Sequence, residues 1–536
     1  MKKNLIAVKA HAAAFILFAA VILFAGCSTG NESPAGDRAG WEGGYAIGAY
    51  YPESNGGYYD GINDEPPPDR EPDDPNREDS SANRFDEILD NAFIKTSEAN
   101  VSTFSLDADS AAYSYMRRSL SYKQLPARNS VRIEEYLNYF TFDYDDPADG
   151  ETVALNSEIS ACPWNDSHYL VRLGIKGKSI PEEDLPLNNY VFLIDVSGSM
   201  NGIDRLGLLK KGLRKMLDSM NPKDRVSIVT YSGKEELVLE STLVENKSLI
   251  LEKINGLVAS GSTNGADAIK MAYQEALQHY IEGGNNRIIM GTDGDFNVGI
   301  TSTDDLLEMV EGYAKQEKSV YLTVCGFGYG NWNDAMMEKV SNKGNGTYVY
   351  VDSEEEMNKV FVEEASRFVS VANDCKAQVT FNKDLVSEYR LIGYENRLLN
   401  TEDFENDEVD AAEIGAGQTV TVLYEIVPAE NCTFDSDTRK FESSLFNFDF
   451  RYKENLNEES KLLTVSCDEI SENTSDNMRF AQAVAAFGMK LRNSEYKGNV
   501  TLDMVLELYG DGFNFDPNGY RAEFAELVRK AAEIYR

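Results

Sequence analysis

The chain has 536 residues, several times the length of an ordinary domain, so one compact core is excluded and three or four folded units are expected. Hydrophobic residues at 42% and aromatics at 11% supply real cores, which excludes a wholly disordered or fibrous protein. Lys and Arg number 51 against 90 Asp and Glu, and the resulting net charge of −39 repels a phosphate backbone and excludes nucleic acid as a partner.

In chain order, residues 1–26 read as a secretion signal: Lys2 and Lys3, an apolar stretch through residues 15–18 and 21–24, then small residues Ala25 and Gly26 before Cys27. The apolar run is short for a spanning helix, which needs about 20 residues. Small residues ahead of a cysteine resemble a bacterial lipobox. That resemblance implies cleavage at the amino side of Cys27, diacylation of its thiol, and a membrane-anchored lipoprotein in the extracytoplasmic cell envelope, with each buried methylene contributing about 0.8 kcal/mol. Residues 27–90 hold Pro66, Pro67, Pro68, Pro72 and Pro75 among acids and glycines. Such a segment cannot bury enough apolar surface to offset its chain entropy, so an acidic disordered spacer is expected.

Residues 91–187 form an amino-terminal region, in which Tyr136, Tyr139 and Phe140 have the helical spacing of core residues. Residues 157–161 and 169–175 alternate as strands. From 188 to 372, short apolar runs alternate with helical periodicity, predicting strands at 191–194, 226–231, 287–292 and 319–324 and helices at 206–217, 266–280 and 306–315. The fold class is therefore α/β, with a doubly wound, mostly parallel sheet. Residues 373–475 again alternate with period two, and the strands on the two sides of the α/β domain are expected to pair into one β-rich module. From 476 to 536, apolar residues recur at helical spacing and predict a small bundle.

The chemistry lies on the loops of the α/β domain. Its first strand ends in Asp195, Val196, Ser197, Gly198, Ser199 and Met200, with Gly198 expected to let the backbone bend sharply. A polar loop carries Thr263, and a later strand ends in Thr292 and Asp293. In a 3-2-1-4-5-6 strand order the first and fourth strands are neighbours, so Asp195, Ser197, Ser199, Thr263 and Asp293 can converge at the switch point where open sheets bind ligands. Two carboxylates and three hydroxyls suit a hard divalent cation, Mg²⁺ first with Mn²⁺ or Ca²⁺ as alternatives. Such an ion retains capacity for one more oxygen, for example a carboxylate offered by a protein partner.

These pieces, in this order, resemble the metal-ion-dependent adhesion site of a von Willebrand factor type A domain. The resemblance implies that Ser197, Ser199 and Thr263 offer hydroxyls to the metal and that Asp195 and Asp293 bind it directly or through water, with Asp295 outside the set as a loop-stabilising acid. Residues 102–107 with Arg117 and Arg118, residues 131–140, and Cys162 to Trp164 are similar to the amino-terminal region of bacterial YfbK-type lipoproteins. Residues 391–397, 413–417 and 480–488 are similar to the regions that follow the type A domain in that family. The function so implied is a membrane-anchored adhesion or scaffold protein and not an enzyme.

Rival readings are weaker on the residues. A calcium loop starting at Asp293 would need Gly and Glu where Val298 and Asp304 stand. A metal-dependent hydrolase with its nucleophile on the first strand would need an acid or base where Ser197 stands, and Ser199 has no neighbouring histidine. A third alternative keeps the metal but makes it purely structural. Gly326, Gly328 and Gly330 form a glycine turn without dinucleotide spacing. His168 and His279 are expected at surface or capping positions, and Glu354, Glu355 and Glu356 in the solvated first turn of a helix. Cys325 lies in an apparent buried strand, whereas Cys162, Cys375, Cys432 and Cys467 could form two bridges in three connectivities.

Overall fold

The computed structural model describes residues 83–536 except 107–108, 263–264, 295–302, 331–332, 408, 410, 431, 433, 436, 457, 472 and 511. In the central domain the described strands are β1 (Asn188–Asp195), β2 (Arg225–Ser232), β3 (Lys234–Leu243), β4 (Asn285–Thr292), β5 (Tyr321–Phe327) and β6 (Tyr348–Val351). Their spatial order is β6-β5-β4-β1-β2-β3, the expected order read from the other edge. Every pairing is parallel except β2 with β3, which is antiparallel. The sequence pattern did not point to β3, whose Lys234, Glu235, Glu236 and Glu240 suit a half-solvated edge strand.

The unbroken apolar run of β1 follows from its central place. Val191 and Leu193 enter one core with Val229, Ile288 and Val324, while Phe192 and Ile194 enter the other with Ile228 and Ile289. Helices α1 (Leu206–Ser219) and α2 (Lys247–Gly256) cover the second face through Leu209, Leu213, Met216, Ile250 and Ile254. Helices α3 (Ala266–Gln278), α4 (Thr303–Ala314) and α5 (Asp334–Lys343) cover the first through Ile269, Tyr273, Val310 and Val340. Each buried Leu or Ile contributes about 1.5–3 kcal/mol, so two apolar faces make this sheet the rigid frame on which its end loops are carried.

The two flanks do pair. Strand Tyr169–Gly177, before the central domain, runs antiparallel to Thr419–Pro428, after it, with Leu173 opposite Val422. A second sheet joins Val101–Ser105 to Ser370–Phe381 in the same way. Leu173 and Val422 from one sheet and Val379 and Phe448 from the other share one core. The region 91–187 is therefore divided. Its strands belong to the sandwich, and its helices Ala111–Ser121 and Ile133–Asn138 pack with the carboxyl-terminal helices Asp476–Arg492, Leu502–Tyr509 and Tyr520–Ile534 around Tyr136, Phe140, Phe487 and Phe524.

Several local expectations are corrected. Asn83 to Asp90, assigned to the solvated spacer, are tied to the folded body: Asn83 donates to the Tyr115 hydroxyl at 2.8 Å and Asp90 pairs with Arg492 at 2.5 Å. Glu356 is buried, because Arg117 reaches it at 2.7 Å and Tyr139 donates to the same oxygen at 2.9 Å. His168 is largely covered, with Nδ1 2.6 Å from Glu425 Oε1. His279 does cap α3. All five described cysteines are free thiols, with Cys162, Cys325 and Cys375 buried.

Candidate metal centre

Local geometry places the first acid and both serines. β1 ends at Asp195, and the chain passes through Ser197 into one tight turn, Gly198–Met200, before α1. Asp195 is fully buried; its Oδ1 accepts the Ser197 N–H at 2.8 Å and its Oδ2 accepts the Thr292 hydroxyl at 3.3 Å. The Ser197 and Ser199 hydroxyl oxygens lie 2.9 Å apart. Gly198 does not take a left-handed conformation. A Cβ there would lie 3.3 Å from the Gly261 carbonyl, which accepts the Gly198 N–H at 3.0 Å, so the glycine lets these two loops approach closely.

Tertiary pairing brings the second acid. Ile194 of β1 lies opposite Gly291 of β4, so the ends of these neighbouring strands meet, and Asp293 emerges buried beside Asp195. Burial pushes the Asp195 carboxyl up to about 6; the Ser197 hydrogen bonds oppose the rise and the charge of Asp293 adds to it. Tyr231, opposite Asp195 in β2, forms a buried floor, its phenol pushed further up by burial and by the Asp195 charge.

The third loop is stitched to the first. Ser260 N donates to Val196 O at 2.7 Å, and the Ser232 hydroxyl donates to Ser260 O. Thr263, three residues beyond Ser260, lies outside the described residues, as do Asp295 and Cys27. The structure thus brings together Asp195, Ser197, Ser199 and Asp293, and it anchors the stem of the loop that carries Thr263.

Arg205 is a member of this site that the sequence pattern did not single out. Its Nη1 donates to the Ser199 carbonyl at 2.5 Å and lies 3.6 Å from Asp293 Oδ2, and its Nη2 donates to the Tyr329 carbonyl at 3.3 Å. Room for it comes from Gly328, which sits at φ +82° and where a Cβ would lie 2.2 Å from Arg205 Nε. The only sequence signal was the glycine turn that makes the space.

A mostly parallel sheet in this strand order, with acids and hydroxyls gathered at its carboxyl rim, makes the central region a von Willebrand factor type A domain, and the family model of that description matches residues 190–295. A model described as von Willebrand factor matches residues 79–172, and one described as Uncharacterized protein YfbK, C-terminal, matches residues 366–534. YfbK of Escherichia coli K12 is 38% identical over 467 residues, covering 84% of this chain and 81% of that protein, and the chain belongs to the YfbK family. Protein sll0103 of Synechocystis is 27% identical over 196 residues, covering 36% of this chain and 45% of that protein. Among solved structures, a von Willebrand factor type A protein from Catenulispora acidiphila is 14% identical, covering 73% of this chain and 91% of that one at a TM-score of 0.42.

Proposed function

We propose that this protein is a membrane-anchored, extracytoplasmic binding or scaffold protein whose type A domain binds a partner protein's carboxylate through a divalent cation. The observation that carries the reading is the meeting of Asp195, Ser197, Ser199 and Asp293 at one rim of the sheet, across the β1–β4 boundary. The donor set passes the chemical test for a hard ion, since every donor is an oxygen and none is imidazole or thiolate. These four residues, with Thr263, would hold Mg²⁺, or else Mn²⁺ or Ca²⁺. When bound, the ion supplies a positive centre that an incoming carboxylate can meet.

The chain's own residues prepare that centre. Two acids balance the charge of a divalent ion while the neutral hydroxyls add none. Arg205 holds the Ser199 turn by its carbonyl, and Tyr231 lies fully buried opposite Asp195. Catalysis is not part of the proposal, because Ser197 stands where a hydrolase would need a second acid. Support for anchoring is confined to the sequence around Cys27; among the described residues no helix is long and apolar enough to cross a membrane.

The test is capture of envelope proteins by the full-length chain in magnesium or in chelator, using wild type, Asp195→Ala and Thr263→Ala. Capture should require magnesium and fail in both variants. Capture that persists in chelator and in both variants would refute the reading, and a melting temperature that falls on chelation without any change in capture would make the ion structural. Cys27→Ser should release the chain from the membrane fraction.

A further inference from the structure

The other rim of the same sheet holds a buried cation. Arg287, near the start of β4, is only 4% exposed, its guanidinium lying between the rings of Tyr321 at 4.9 Å and Phe368 at 5.2 Å. Nη1 donates to the Thr323 hydroxyl at 2.8 Å and Nη2 to the Phe368 carbonyl at 2.7 Å. Its Nε is buried without a hydrogen bond, as are those of Arg172, Arg390 and Arg492, but among the described residues no carboxylate forms an ion pair with Arg287. Arg117, Arg132, Arg172, Arg390 and Arg492, equally buried, each have at least one acid within 3.2 Å. Glu413 acts on this charge through space without forming an ion pair with it, and a buried cation so loosely matched has capacity for a closer anionic partner.

Arg287 lines a cavity of about 180 Å³ between the type A domain and the sandwich. Three further cations, Lys343, Arg367 and Arg397, line it against two acids, Asp109 and Glu413. The first three are held in place by Glu311 at 3.2 Å, Glu364 at 2.9 Å and Asp109 at 3.1 Å respectively. Four cations and two acids thus line the cavity, with Glu311 and Glu364 standing behind its wall as partners of Lys343 and Arg367, in a chain whose net charge is −39. A water occupies about 30 Å³ of liquid, so the space exceeds what one or two solvent molecules would fill.

We infer that this cavity is a binding site for a tetrahedral oxyanion of the phosphate class, free or as the terminal group of a larger ligand, with Arg287 as its central donor. Guanidinium forks match the oxygens of such an anion, and cations from several directions favour a tetrahedral over a planar acid. The site lies at the opposite strand ends from Asp195 and Asp293, so it stands or falls independently of the metal reading.

The experiment is calorimetric titration and thermal denaturation of the full-length protein in chelator, at constant ionic strength. Phosphate, sulfate and glycerol 3-phosphate are the probes, with malonate and chloride as controls. At least one tetrahedral anion should bind saturably and raise the melting temperature. A preference for glycerol 3-phosphate over phosphate would identify a terminal group, and the reverse a free ion. Arg287→Met should abolish the response, and Lys343→Ala, a change at a half-exposed residue, should weaken it about tenfold. A response to malonate alone, no saturable response, or an undiminished response in Lys343→Ala would overturn the assignment. If Arg287→Met fails to fold, crystals grown in selenate should show an anomalous peak within hydrogen-bond reach of Arg287 Nε; none there would also overturn it.

Discussion

The carboxyl rim of the parallel sheet and the helical layer beside it bury charge in opposite ways. In the helical layer, Arg132 is matched by Asp334 at 2.6 Å, Glu338 at 2.8 Å and Glu135 at 3.2 Å, and Arg117 by Asp352 and Glu356. At the carboxyl rim, two acids are buried side by side, with Arg205 touching only one of them, at 3.6 Å. The lesson is that the fold can supply counterions where it needs them and brings like charges together at the loops. Paired charges hold elements in register, whereas two acids buried together carry a cost that the proposed cation would relieve.

That contrast can be broken most severely in the paired network. Arg132→Met leaves three buried carboxylates without their cation and should cost about 3–5 kcal/mol, read as a drop in the urea midpoint. At the crowded rim the expected sign reverses. With the Asp195 carboxyl at about 6 in the folded protein against an ordinary value near 3.8, the folded state holds an extra proton between those limits. Stability without metal should therefore fall as pH rises from about 4 through 6, by up to about 3 kcal/mol, and remain lower above that window. Asp195→Asn should remove this slope and melt higher than wild type at pH 8 in chelator, while losing magnesium-induced stabilisation; an Asp195→Asn protein less stable than wild type under those conditions would count against a carboxylate that burial, with the Asp293 charge added, disfavours.

A smaller effect sharpens the role of Arg205. Gly328→Ala combines an unfavourable left-handed backbone with a clash against Arg205, and should lower stability by about 1–3 kcal/mol and weaken magnesium binding measured by calorimetry. The smallest effect belongs to the exposed extreme. Lys339 and Asp86 pair at 2.8 Å with both side chains mostly in solvent, so Lys339→Ala should change the melting free energy by less than about 1 kcal/mol.

How far the site could be read in advance depended on distance along the chain. Asp195, Ser197 and Ser199 sit within four residues of one another on a strand-to-helix turn, whereas the neighbourhood of Asp293 rested on an assumed 3-2-1-4-5-6 order, which holds only because the edge strand Lys234–Leu243, absent from the sequence pattern, precedes the strand that ends at Thr292. Arg205 was not legible, since its role depends on a gap at Gly328, more than a hundred residues later. Glu356 looks like a solvated first-turn acid until Arg117, 239 positions away, is placed against it. His168 looks like a surface residue until Glu425, 257 positions away, closes over it. Arg287 reads only as the polar start of a buried strand.

The order of residues alone determined which strands bury both faces, which loops carry oxygen donors, and that the segments on either side of the central domain alternate as strands of one β-rich module. Those properties follow from local periodicity and from short turns, whose geometry the neighbouring residues dictate. Tertiary structure decided which buried charges meet a close ion pair, because a counterion is a matter of distance in space, and no local pattern records which remote side chain will arrive.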